Sequence, residues 1–193
     1  MKTTPTKQVL LEQGIAMLLR HGYHDLGIVA LLEAVDVPKG SFYHHFTNKE
    51  EFALEAIDWY MRDVHAGLDA CLGDESLSPL QRVRRFFELS EEKYRGEGYL
   101  GCLLGGLGQE LSGVSDVFRR KVEKCFSSIA VRIAACLDEA VTAGELAPRT
   151  DTRAMADLLI NCWEGAALRC RLRRDPQPLR DMLDFYFRSA SLG

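Results

Sequence analysis

The stretch Val37-Pro38-Lys39-Gly40-Ser41-Phe42-Tyr43-His44-His45-Phe46, followed by Thr47-Asn48-Lys49-Glu50, decides the reading of this chain. On a helix opening near Lys39, Phe42 and Phe46 stand four apart and share one face, while Lys39, Ser41, Tyr43, His44 and His45 carry polar tips elsewhere. One face can pack while another reads. Only Asp36-Val37-Pro38 separates this short helix, about Lys39 to Phe46, from another short one, about Gly27 to Val35. That spacing suits a helix-turn-helix rather than a long antiparallel hairpin. Thr47 and Glu50 form a capping-box pattern, which predicts a long fourth helix running to about Cys71.

Outward from this stretch the same period continues. A first helix runs from about Thr6 to His21 and stops at Gly22, a residue suited to a left-handed cap. Beyond the polar connector Gly73 to Ser78, helices are expected near Pro79 to Gly96, within Cys102 to Leu111, and from a Ser115 cap to about Ala143. Two more cover about Thr152 to Arg173 and Leu179 to Ala190. Apolar residues recur at three and four, as in Phe118, Val122, Phe126, Ile129, Ile133 and Leu137, and no bounded alternation argues for a strand. The expectation is an all-α protein of about nine helices, with a three-helix helix-turn-helix domain at 1–48 and a helical bundle at 49–193.

Composition bounds what such a chain does. At 193 residues and 47% hydrophobic it can bury a substantial core, which excludes disordered and collagen-like classes. Its apolar runs are far shorter than the roughly 20 residues that cross a bilayer, and MKTTPTKQ with Glu12 and Arg20 lacks the pattern of a secretory signal. A cytoplasmic location without membrane association is expected. Six cysteines (Cys71, Cys102, Cys125, Cys136, Cys162 and Cys170) then read as reduced thiols rather than a disulfide framework. No pair has zinc-knuckle spacing. His44 and His45 make a poor metal pair, since adjacent helical residues diverge by about 100°. Neither a metal nor a cofactor is expected.

The quoted stretch, with Gly22-Tyr23 and the apolar Ile28, Leu31 and Leu32, resembles the DNA-binding signature of TetR-family transcriptional repressors over about Val9 to Leu54. A recognition helix enters the major groove, where base-edge contacts discriminate sequence and phosphate contacts fix register. The resemblance implies that Tyr43, His45 and Lys49 face phosphates and that Lys39, Ser41 and His44 lie nearer the bases. Gly40 would let the helix start approach the DNA backbone, and the amides opening the fourth helix would be offered to a phosphate. Leu26-Gly27 departs from the family pattern, which commonly has a capping Thr or Ser there. Residues 1–49 hold five basic against four acidic side chains, so the net charge of −4 comes from the remainder.

The resemblance further implies a homodimer in which the last two helices pair with their copies, through Leu158, Cys162, Trp163, Met182, Phe185 and Tyr186, so that two reading heads address a palindromic operator. Plain core is the commoner fate of such stripes. Gly96, Gly98 and Gly101 satisfy G-x-G-x-x-G, but a helix precedes them where a dinucleotide site needs a strand. Gly101-Cys102-Leu103-Leu104 and the Val37–His44 run look closest to the NemR and AcuR subgroup, repressors that respond to electrophiles or acrylate-like compounds. In that setting Cys102, at the start of the sixth helix, is a candidate nucleophile favoured by exposed amides. Trp163, Arg169 and Arg171 would line the effector site, either arginine supplying a positive neighbour or pairing with a carboxylate ligand. Cys102 as a small buried hydrophobe stays open beside this. Two rivals remain: a thiol-dependent enzyme using Cys102, which turnover with a thiol reductant would favour, and a helical protein-interaction module, which predicts no nucleic-acid affinity and no salt-dependent binding.

Overall fold

A computed structural model describes residues 5–190, and among these it contains nine α-helices and no strand. They are α1 (Pro5–His21), α2 (Ile28–Ala34), α3 (Lys39–His45), α4 (Lys49–Leu72), α5 (Pro79–Gly96), α6 (Leu103–Leu111), α7 (Asp116–Thr142), α8 (Thr152–Arg173) and α9 (Gln177–Ala190). The outermost few residues of the 1–48 and 49–193 division lie outside the described chain.

Local chemistry accounts for the boundaries. Gly22 has φ +78 and ends α1. α2 opens at Gly27 with no side-chain cap, as its departure from the family pattern implies. Asp36 takes a left-handed φ of 50 in the turn before α3, a conformation its short polar side chain tolerates. The start of α4 differs by one residue from the capping-box expectation. Asn48 Oδ1, not Thr47, accepts from the Glu51 amide at 2.9 Å, and Glu51 rather than Glu50 reaches back to the Thr47 amide at 2.6 Å. Asn is as good a cap as Thr, and choosing it brings a second acid into reach. Ser115 Oγ and Asp151 Oδ1 accept at the starts of α7 and α8.

The helices form two compact units. The first takes the chain as far as Asp63, with Leu103–Val122; the second takes Val64–Cys102 and the chain from Glu123 onward. The compact units therefore do not divide at 48/49: the first half of α4, all of α6 and the start of α7 group with α1–α3. In this first unit Gly14 of α1 is buried against Phe52 of α4, where an added Cβ would come within 2.1 Å of the ring. The second unit centres on Trp163, whose ring lies 4.9 Å from Phe87 and 5.7 Å from Tyr94.

Candidate nucleic-acid interface and effector core

In the first unit, Phe42 is 0% exposed and Phe46 1%, and both rings pack on Phe52 at 5.5 and 5.0 Å. This aromatic base fixes the rotation of α3. Lys39, Gly40, Tyr43 and His44 are consequently exposed, and Ser41 and His45 are half-buried. Gly40 faces open space, with nothing within 4 Å of an added Cβ, so no internal packing demands a glycine there. The His44 and His45 rings meet at 5.0 Å. Burial, then the neighbouring His44 and Lys7, pushes the His45 imidazole below its usual value, which favours the neutral ring near neutrality.

Lys49 has a second commitment that the sequence does not announce. Its Nζ donates to the His24 carbonyl at 3.0 Å and sits over the Tyr23 ring at 4.7 Å. That ties the start of α4 to the turn after α1. The amides expected to await a phosphate at α4 are partly used as well, since Asn48 takes that of Glu51. Glu110 of α6 holds the other side of the turn. Its carboxylate accepts from the Tyr23 and His24 amides, both at 2.7 Å, and meets His24 Nδ1 at 2.5 Å. Desolvation opposes ionisation of Glu110, but these three contacts outweigh it and hold its pKa below the usual carboxylate value. Behind the turn, Tyr23 packs edge-on against Phe118 of α7 at 5.3 Å.

In the second unit, none of the six cysteines is in a disulfide; Cys71, Cys125, Cys136 and Cys170 are buried, while Cys102 and Cys162 are half-buried. Cys102 immediately precedes α6, after Gly101 with φ +84. Its thiol hydrogen-bonds the Glu164 carboxyl of α8, and desolvation pushes that carboxyl up to about 7 against the lowering effect of the bond. Arg169 and Arg171, expected as cationic neighbours, are exposed on α8. Sequence reasoning missed Glu164, although a single acid within the apolar run Cys162 to Ala167 was a usable signal. Glu164 also lines a partly open cavity of about 360 Å³.

The expected dimer residues separate into three groups. Leu158 and Phe185 are exposed, at 54% and 73%, and Cys162 and Met182 are half-buried. Trp163 and Tyr186 turn instead into the core of their own chain, Trp163 between Phe87 and Tyr94 and Tyr186 with its hydroxyl donating to the Met155 carbonyl at 2.7 Å. Large rings with a polar atom to satisfy gain more inside than on a seam. Leu168 and Leu172, which the sequence reading passed over, are exposed at 43% and 71%. Among the described residues no group of three or more His, Cys, Asp and Glu could hold a metal, and no helix is long and apolar enough to cross a membrane.

Set against known proteins, this arrangement has clear relatives. Residues 10–56 match the family model of bacterial regulatory proteins, tetR family, and residues 79–186 match the Tetracyclin repressor-like, C-terminal domain. The chain belongs to the TetR family of transcriptional regulators. Transcriptional regulator AcuR from Cereibacter sphaeroides, one of the two proteins its motifs resemble, is 39% identical over 89% of this chain and 79% of its own. The HTH-type transcriptional repressor DhaR from Mycobacterium sp. (strain GP1) is 33% identical over 97% and 93%. The crystal structure of regulatory protein TetR from Rhodobacter sphaeroides superposes with a TM-score of 0.90 at 38% identity, covering 94% of this chain and 96% of that one. These findings put the chain among DNA-binding regulators and not among enzymes.

Proposed function

We propose that this regulator is a homodimeric repressor, bound to a palindromic operator when unliganded and released by a small molecule taken up in the second unit. The observation that carries the reading is the α3 face, where Lys39, Gly40, Tyr43 and His44 stand exposed above a fully buried Phe42 and Phe46. Tyr43, His45 and Lys49 serve as phosphate contacts, and Lys39, Ser41 and His44 read base edges. Lys49 contributes by fixing its own turn as well as by charge. The repressor DhaR supports the sign of regulation.

A dimer supplies two reading heads about 34 Å apart, the spacing of successive major grooves. Leu158, Leu168 and Leu172 of α8 and Phe185 of α9, exposed on one chain, support a four-helix seam between two. Gly165, with open space around it, permits close approach there. α4 is one unbroken helix across the boundary between the units at Asp63 and Val64, so it is the element through which effector binding changes the spacing of the heads. Cys102 is the sensing nucleophile: the chain passes directly from it into α6, whose Glu110 clamps the reading unit. Differential affinity of about 1–3 kcal/mol between the two shapes is enough for such coupling.

Mobility-shift titration against the DNA upstream of the protein's own gene and its neighbours tests this. Specific binding should fall steeply with salt and be reversed by thiol-reactive ligands. Absence of any duplex affinity overturns the reading, and normal release from Cys102→Ser by every active ligand overturns the covalent step.

A further inference from the structure

The helix before the recognition helix presents an apolar residue that core packing does not use. In α2, Leu31 and Leu32 are buried, and this turns the helix so that Val29 and Ala30 are exposed, Val29 at 55%. Val29 lies in the first turn of α2, bracketed by two of the proposed DNA contacts. On one side, the loop feeding α2 is tied to Lys49, whose Nζ donates to the His24 carbonyl at 3.0 Å. On the other, Val29 and Lys39 line one open cavity of about 390 Å³. Glu33 and Asp36 set two carboxylates on that wall against Lys39, the one cation among the described residues lining it, so the wall repels a phosphate. A base edge carries no net charge and meets no such penalty. Val29 has no side-chain group that hydrogen-bonds; it offers two methyl groups on a branched carbon whose χ1 has little freedom to lose. The major-groove feature that matches is the C5 methyl of thymine.

Resting on the reading of α3 as the recognition helix, we infer that Val29 of α2 is a specificity-determining residue that packs on a thymine methyl next to the base pair Lys39 reads. Two neighbouring elements then divide the work. Lys39 discriminates through hydrogen bonds to a base edge, and Val29 through apolar surface withdrawn from water. The gain depends on the methyl alone. Cytosine lacks it, so the same valine that rewards thymine leaves a gap over a C·G pair at that position.

The test starts from a duplex that the full-length protein selects from a randomised library. Each thymine of one half-site is replaced in turn by deoxyuridine, which deletes the C5 methyl and keeps every hydrogen-bonding group. At one thymine the affinity should fall about fourfold, the worth of one buried methyl-sized group. Val29→Ala should bind the thymine duplex about fourfold more weakly and be indifferent to that replacement. Its salt slope should match the wild type, since no charge is touched. Val29 is exposed, so the fold survives the truncation. A half-site with no methyl-sensitive thymine, or a methyl effect that persists in Val29→Ala, overturns the inference while leaving the α3 reading in place. Selection of no duplex at all overturns that reading and this inference with it.

Discussion

The two units of this regulator present their chemistry in opposite ways. In the first, the candidate DNA-facing side chains lie exposed or half-buried within eleven consecutive residues, Lys39 to Lys49, and the buried Phe42 and Phe46 that aim them lie in the same run. In the second, the candidate groups are drawn from distant parts of the chain, with Cys102 half-buried before α6, Glu123 exposed on α7 and Glu164 half-buried on α8. DNA is a large regular surface, so a reader needs exposed tips at helical spacing. A small ligand must be enclosed, and enclosure recruits whatever elements the fold brings together.

The sharpest way to break this contrast is to remove the support under the exposed face. Phe42→Ala should cost about 3–5 kcal/mol in denaturant unfolding and abolish operator binding, although Phe42 itself is 0% exposed and reaches no DNA. Retained binding would show that α3 needs no aromatic base. A pH titration probes the recessed side. Glu164 has its carboxyl raised from 4.5 to about 7, so its favourable state is the neutral one, fully present below its unfolded value. Stability should therefore decline by about 3 kcal/mol as pH rises from 4.5 through 7, and Glu164→Gln should flatten that decline. Glu110→Ala comes next. Freeing the Tyr23 and His24 amides should cost about 1–2 kcal/mol, because both can recover water at the surface. The smallest effects separate positioning from reading. Lys49→Ala should weaken binding to all sequences alike and lower the salt slope by about one, whereas Ser41→Ala should change preference among sequences by about 1 kcal/mol.

What was legible follows the same divide. The helix-turn-helix, its phenylalanine base and its exposed tips were readable because a short helix has only one way to bury Phe42 and Phe46. The cap of α4 was off by one, since Thr47 and Asn48 are both good caps and each is followed three residues later by a glutamate. Gly14 passed unnoticed although a glycine inside a helical stretch signals close approach. Glu110 had no local signal: it acts on Tyr23, 87 residues away. In the second unit, periodicity identified apolar stripes but not which of two surfaces each residue serves. Trp163 and Tyr186, expected at a dimer seam, belong to the interior, while Leu168 and Leu172 lie outside.

The burial of four of the six cysteines bears on how such a protein survives its own signal. A thiol-alkylating effector of the kind proposed above would be a poison as well as a message, and a receptor that lost its interior to the dose it was reporting would deliver noise. Burial pushes the Cys71 and Cys170 thiols up and carries Cys136 to about 11, leaving those sulfurs protonated and walled off at any pH a cell tolerates. Such a reagent would meet an armoured body with few open seams, and the answer it drew would reflect dose rather than damage.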